Sequence, residues 1–150
     1  MPQLSLLSPV GDLTVSEEDG LLVSLDWGWV RDQAETPLLS RTKNLLNAYF
    51  DGKLQEFDLP LNLAGTPHQR KVWQAMTEIP YGMTESYGEL ARRIGSGAQA
   101  VGTACGRNPI AIIVPCHRVL AAHGAIGGYS GGNGVATKTA LLRLEGSLSV

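Results

Sequence analysis

Cysteine is scarce in this 150-residue chain: there are two, Cys105 and Cys116, beside three histidines. Two cysteines, both in the C-terminal half, leave no room for a disulfide scaffold or a cysteine-rich zinc site, so no metal is expected. No apolar run approaches the roughly 20 residues that span a bilayer, and no membrane segment is expected. The opening MPQLSLLSPVGDL lacks the basic stretch of an export signal. The expected setting is therefore the cytoplasm, at the nucleoid in a prokaryote, with both thiols reduced. Internal repeats and low-complexity tracts are missing too. What is present, 43% hydrophobic and 17% charged residues, suits one folded domain or two small ones.

The net charge of −2 conceals an asymmetry. Residues 1–65 hold four Lys/Arg against ten Asp/Glu, a net −6, whereas residues 66–150 hold eight against four, a net +4. A basic C-terminal half fits a surface that faces a polyanion, and equally a solvated surface. Residues 3–29 alternate apolar with polar side chains and break at Pro9-Val10-Gly11 and Asp19-Gly20, which predicts strands. Residues 37–50 switch to helical spacing, with Leu38, Leu45, Leu46, Tyr49 and Phe50 on one side, and Asp51-Gly52 stops the helix. Residues 53–63 read as extended, and Ala64-Gly65-Thr66-Pro67 as a linker. The expected domains are 1–63 and 66–150.

Beyond the linker the pattern is helical. Thr66-Pro67 caps a helix carrying Val72, Trp73 and Met76 on its apolar face. Ser86 with Glu89 forms a capping box for a helix over 87–94. Gly95-Ser96-Gly97 then turns the chain into a short helix of small residues over 98–105. Two short helices about a glycine turn have the shape of a helix-turn-helix, and equally of tight internal packing. A last helix over 136–145 points Leu141, Leu142 and Leu144 inward.

Chemistry concentrates in residues 108–132, NPIAIIVPCHRVLAAHGAIGGYSGG. The apolar run 110–114 ends at Pro115 and delivers Cys116, His117 and Arg118. A cysteine thiol has a pKa near 8.5 and needs a base or a cation beside it to act as a nucleophile. On an extended segment Cys116 and His117 point to opposite faces, so they cooperate only through a backbone bend at Pro115 or a bridging water. The residues alone leave Cys116 open between a nucleophile and a buried small hydrophobe. Cys105 reads as structural, and His68 and His123 as exposed.

VPCHRV, preceded by Asn108-Pro109 and followed by Gly127-Gly128-Tyr129-Ser130-Gly131-Gly132, resembles the signature of the O6-alkylguanine-DNA alkyltransferases. Thr66-Pro67, Ile79-Pro80-Tyr81-Gly82, Ser86 to Ala91, Ala100-Val101-Gly102 and Lys138 to Gly146 extend the likeness over the C-terminal half; Pro9, Gly11, Leu13 and Trp27 fit a weaker N-terminal pattern. The resemblance implies an α+β protein: a small ribonuclease-H-like α/β domain, then a mostly helical domain with a winged-helix-like helix-turn-helix. It implies suicidal repair, in which Cys116 takes the alkyl group from O6-alkylguanine in double-stranded DNA, with O4-alkylthymine left open. The base would be flipped out through the minor groove by a monomer that needs no cofactor.

Residue by residue, the resemblance makes Cys116 the nucleophile, His117 its base through a water, and Glu145 the group that orients His117. Tyr87 would donate to guanine N3, and Asn108 would tie the DNA-binding helices to the active-site turn. Val119, Tyr129, Ser130 and Gly131 would hold the base; Ser86, Tyr87, Ala98, Gln99, Thr103 and Arg107 would face DNA. Arg118 would pair with a carboxylate as a structural group. The family places an arginine where this chain has Gln99, and the preceding turn is two residues short. Glutamine lacks the charged plane that stacks on bases. That departure keeps a second reading alive, a lesion-sensing protein that flips alkylguanine without repairing it. A cysteine hydrolase built on Cys116, His117 and Glu145 ranks third.

Overall fold

Asp19 and Gly20 both adopt positive φ, 53° and 77°, the geometry of a tight hairpin turn whose twist matches its flanking strands. They join β2 (Leu13–Glu18) to β3 (Leu21–Trp27), and β1 (Gln3–Leu6) pairs with the other edge of β2 in an antiparallel sheet of order β1-β2-β3. Leu4 sits opposite Val15, and Val15 opposite Leu25. This register puts the apolar residues of three strands on one face, where all three are buried. Helix α1 (Pro37–Phe50) packs on the sheet, capped by the Thr36 side chain and ended at Asp51. Its buried residues are Leu39, Thr42, Leu46 and Tyr49. The helical face is thus rotated from the predicted one, because Leu38, Leu45 and Phe50 flank the stripe and are only half-buried. The segment after α1 is extended, and Leu61 forms a parallel bridge with Leu22.

The polar face of this sheet is not left to water. Ser5, Thr14 and Ser16 are buried. Thr14 donates to the Gly28 carbonyl at 2.7 Å, so the 2.8 Å contact between the two hydroxyls is donated by Ser5. Ser5 Oγ then accepts from Gln33 Nε2 and from the Val30 amide. The Ser5 and Thr14 hydroxyls are satisfied by the chain that follows β3, which is the condition for burying them.

The computed structural model describes residues 1–147 and divides them into two units, Met1–Ala64 and the chain from Gly65 onward. The second unit opens with α2 (Pro67–Thr77), whose Thr66/Gln69 capping box satisfies two otherwise unpaired amides. Trp73, fully buried, donates from Nε1 to the Ala104 carbonyl at 2.8 Å and so clamps α2 to α4 (Ala98–Gly106). Gly65 is required beneath that ring: a Cβ there would stand 2.6 Å from Trp73. Helix α3 (Tyr87–Ile94) starts at the Ser86/Glu89 capping box and stops at Gly95 in the left-handed region, φ 70°. The turn to α4 is pinned by His68, which is half-buried rather than exposed because its Nε2 hydrogen-bonds Ser96 Oγ at 2.8 Å. Helix α5 (Val135–Leu144) buries Leu141 and Leu142, while Leu144 is half-buried. Among the described residues no helix is long and apolar enough to cross a membrane.

Candidate active site

The apolar run before Cys116 does not form a strand. Residues 110–114 close into a turn, with the Val114 amide donating to the Ile110 carbonyl at 2.9 Å. Ile112, buried, takes φ 75°, a conformation that a β-branched residue adopts only under constraint. Asn108 supplies part of that constraint: its Nδ2 donates to the Val114 carbonyl at 2.7 Å and its Oδ1 accepts from the Ile110 amide at 3.0 Å. Pro115 then leads into a single 3-10 turn, Cys116–Arg118. The extended geometry that would set Cys116 and His117 on opposite faces is therefore replaced by a bend. β5 (Val119–Leu120) follows and pairs in parallel with β4 (Glu85–Ser86), Glu85 opposite Val119. Because Ser86 is also the cap of α3, this pairing fixes Tyr87 beside the cysteine turn.

Cys116 is 8% exposed and lines an open cavity of about 310 Å³ with Tyr87, Gly102, Cys105, Gly106, Gly128, Tyr129 and Ser130. Burial pushes the Cys116 thiol up; hydrogen bonds from Asn108 and Tyr129 and the charge of Lys138 oppose it only in part. The resting thiol is therefore protonated at neutral pH. Tyr87 is pushed up to about 12, first by burial and then by the two cysteines, so its hydroxyl stays a donor. Tyr129 is raised too, chiefly by burial. Since the thiolate fraction of Cys116 lags that of an ordinary cysteine at every pH, alkylation of the folded chain by iodoacetamide should keep rising past pH 8.5. Rates measured by mass on the Cys116 peptide between pH 6 and 10 check this; a plateau below pH 8 would contradict it.

His117, Arg118 and Glu145 form a buried cluster. His117 Nε2 lies 2.8 Å from Glu145 Oε2, and Arg118 donates to the same carboxylate from Nε at 2.8 Å and Nη2 at 3.0 Å. A third bond, Nη1 to the Ile79 carbonyl at 2.7 Å, anchors the guanidinium to the end of α2. Although His117 is within ion-pair distance of Glu145, its pKa is lowered: burial outweighs the carboxylate, and Arg118 and Lys138 add repulsion. A neutral ring beside a carboxylate carries its proton on Nε2, which leaves Nδ1 as the acceptor. Nδ1 is buried and has no hydrogen-bond partner among the described residues. A neutral imidazole with one nitrogen fixed by a carboxylate and a free basic nitrogen is equipped to take a proton.

The structure brings Cys116, His117, Tyr87, Asn108, Tyr129, Ser130 and Val119 to one end of the second unit, and places Glu145 behind His117. Two groups were missed in the sequence. Cys105, which reads as structural, lies in the cavity wall, with its Sγ 3.4 Å from Met76 Sδ and its thiol pushed up to about 12 by burial. Lys138 is fully buried; its Nζ donates to the carbonyls of Val119 at 2.7 Å and Gly128 at 3.2 Å and sits 5.7 Å from the Tyr87 ring centre. A lysine amid the small and apolar residues of α5 was the available signal, but helical spacing alone puts it on no particular face. The Val119 carbonyl thus already holds Lys138. Gly131 is not part of the cavity wall; its carbonyl accepts from the Gly134 amide at 2.9 Å, at the start of α5.

On the outer side, Ser86 accepts from the Glu89 amide, and Ala98, Gln99 and Thr103 are exposed along α4. Thr103 Oγ1 donates back to the Gln99 carbonyl. Arg107 is the exposed residue that ends α4. Among the described residues no group of three or more His, Cys, Asp or Glu could hold a metal ion.

Two family profiles match the chain: "6-O-methylguanine DNA methyltransferase, ribonuclease-like domain" over residues 5–63, and "6-O-methylguanine DNA methyltransferase, DNA binding domain" over residues 67–147. A methylated-DNA–protein-cysteine methyltransferase of Mycobacterium tuberculosis is 47% identical, covering 93% of this chain and 89% of its own. A constitutive one from Bacillus subtilis is 40% identical, covering 92% and 91%. The crystal structure of Mycobacterium tuberculosis OGT in complex with DNA superposes with a TM-score of 0.89 at 46% identity, covering 98% of this chain and 94% of that one.

Proposed function

Because the chain belongs to the 6-O-methylguanine DNA methyltransferase family, we propose that it repairs DNA by moving the alkyl group of O6-alkylguanine onto Cys116. The observation that carries this reading is the Cys116 thiol in the wall of an open cavity, one residue from a neutral, buried His117. The thiol sulfur attacks the alkyl carbon as the carbon–O6 bond breaks, and the bonding electrons pass to guanine. His117 Nδ1 takes the thiol proton through a water, and Glu145 stabilises the imidazolium that forms. Tyr87 donates to guanine N3 and makes guanine a better leaving group. Tyr129 and the backbone at Ser130 close over the base, and the carbonyls of Cys116 and Val119 read its amino group. Ser86, Ala98, Gln99, Thr103 and Arg107 face DNA from the minor-groove side, with Asn108 tying their helices to the cysteine turn. The chain works as a monomer in the cytoplasm, without cofactor. Residues 1–63 form its N-terminal domain and 66–150 the transfer domain. A thioether is not reversed by water, so each molecule acts once.

The test is the intact mass of the protein after incubation with a duplex carrying one O6-methylguanine. A gain of one methylene, mapped to Cys116, is expected; a lesion-specific gel shift with no gain in mass would favour the sensing protein instead. That alternative is not favoured, since the relatives are named methyltransferases and the thiol is in place in the cavity.

Gln99 remains the departure from the family pattern, and its effect is measurable. Gln99→Arg adds a charge and a stacking plane beside the extruded base. Transfer from duplex DNA should speed up by about tenfold, the worth of ~1.4 kcal/mol in a stacking contact, with no matching gain on the free alkylguanine base. Equal duplex rates for the two proteins would show that another group already fills the role.

A further inference from the structure

Three sulfur-bearing side chains gather at the lesion cavity from three separate elements. The Trp73 bond to the Ala104 carbonyl clamps α2 to α4, and Met76, three positions after Trp73, lies on the same side of its helix. Met76 Sδ consequently stands 3.4 Å from Sγ of Cys105, the residue after Ala104. Cys116, on its 3-10 turn, lines the cavity together with Cys105. Alkyl transfer uses one of these sulfurs and leaves two idle. We propose that Cys105, Met76 and Cys116 form a binding site for a cuprous ion, which enters through the open cavity and withholds Cys116 from reaction while bound. The ion is an inhibitor of the chain and not its cofactor.

The donor set chooses the metal. Thiolate and thioether sulfurs are soft and select Cu(I), whereas carboxylates and carbonyls suit harder ions. Counted by His, Cys, Asp and Glu alone, the described residues hold no metal-binding group; the Met76 thioether supplies the third donor. The ion replaces the Cys105 proton that points at Met76. Two copper–thiolate bonds and one copper–thioether bond form, both thiol protons leave to water, and neither copper nor sulfur changes oxidation state. With metal–sulfur bonds of ~2.3 Å, two sulfurs of a trigonal set stand ~4.0 Å apart. The Cys105–Met76 contact therefore opens by ~0.6 Å, a shift that the three rotatable bonds of methionine accommodate.

The surroundings suit two thiolates. Two thiolates and a monovalent ion carry one negative charge, and the buried Lys138 ammonium balances it. Burial raises both thiols, and Lys138 opposes burial at each of them. Asn108 and Tyr129 hydrogen-bond the Cys116 sulfur, the outer partners that orient a ligating group. A thiol pushed up to about 12, as Cys105 is, is inert at neutral pH, but a coordinated cation deprotonates it outright.

The test is an anaerobic titration of the DNA-free chain with Cu(I) against the chelator bicinchoninate. Wild type is compared with Cys105→Ala and Met76→Leu, each checked by thermal melting. Wild type should bind one ion, and X-ray absorption at the copper edge should show three sulfur neighbours. Cys105→Ala should lose at least about 100-fold in affinity, beyond the 10- to 100-fold that loss of an outer-shell partner costs. Met76→Leu keeps the core volume; it should transfer alkyl groups as the wild type does but bind copper about tenfold more weakly. Iodoacetamide labelling of Cys116 should stop in wild type when the ion is bound and resume when chelator removes it. Nitrogen or oxygen in the copper shell, or wild-type affinity in either variant, would overturn the assignment. A chain that binds the ion as described but takes no alkyl group, with or without copper, would refute the alkyl-transfer reading and leave this site standing.

Discussion

Replacing Cys116 by alanine is expected to leave a folded protein that binds the O6-methylguanine duplex and never gains mass. The sulfur is the only atom of the side chain beyond Cβ, and the alanine variant forgoes only its hydrogen bonds to Asn108 and Tyr129. Each is worth ~1 kcal/mol, so stability should fall modestly. Reactivity falls without limit: removing the atom that forms the new bond costs at least about 10⁴-fold, as loss of a nucleophile does elsewhere. Cys116→Ser should be equally inert, because a hydroxyl is a far weaker acid than a thiol and the cavity already disfavours the anion. Intact-mass measurement with peptide mapping reads both results. The informative contrary outcome is a mass gain on Cys105, which shares the cavity; it would move the nucleophile from one wall to the other.

Glu145→Gln should be the most destabilising single conservative change in the second unit. The carboxylate accepts from His117 Nε2 and twice from Arg118, all with almost no exposure. An amide has the same shape but turns an NH₂ toward an N–H of Arg118 in either orientation, and it leaves a buried guanidinium without its counter-charge. Removing one partner of a buried ion pair typically costs about 3–5 kcal/mol. For a domain of this size that lowers Tm by at least ~12 °C, taking ~4 °C per kcal/mol. Alkyl transfer at a temperature where the variant is still folded should also drop by about 10²–10³-fold, since the imidazolium formed on His117 loses the anion beside it. Thermal melting and single-turnover rates check the two effects separately. Adding Arg118→Met to Glu145→Gln should recover much of the lost stability, because the unpaired charge is then gone, while leaving the rate low. A variant that melts with the wild type would show that the cluster contributes only orientation.

Local rules make much of this chain legible. Helix α3 is bounded by a capping box and a left-handed glycine, both of which act within three or four residues; Ser86, Glu89 and Gly95 therefore announce it in the sequence. The Asp19-Gly20 turn and the Thr66-Pro67 helix start are legible for the same reason. Helix α1 shows the limit. Its ends were readable, but its buried stripe is set by where the sheet lies, and a chain with leucines at 38, 39, 45 and 46 admits two neighbouring stripes.

By itself the sequence determined that a cysteine and a histidine stand together after a proline, among glycines and small residues, in the basic half of the molecule. Only the tertiary structure decided what those residues are. Helical spacing at the end of α5 does not place Glu145, which the family resemblance alone put beside His117; it is buried because Arg118, 27 positions earlier, and His117 fold onto it. Lys138 reaches the Val119 carbonyl across 19 residues, and Arg118 reaches the Ile79 carbonyl across 39. The run 110–114 has the composition of a strand but is bent into a turn by the two hydrogen bonds of Asn108. Such contacts join residues that no local periodicity relates, and burial gives them their effect. In water a histidine titrates near 6.5 and a thiol near 8.5; here the histidine is held neutral and the thiol protonated because the packed chain has removed the water around both.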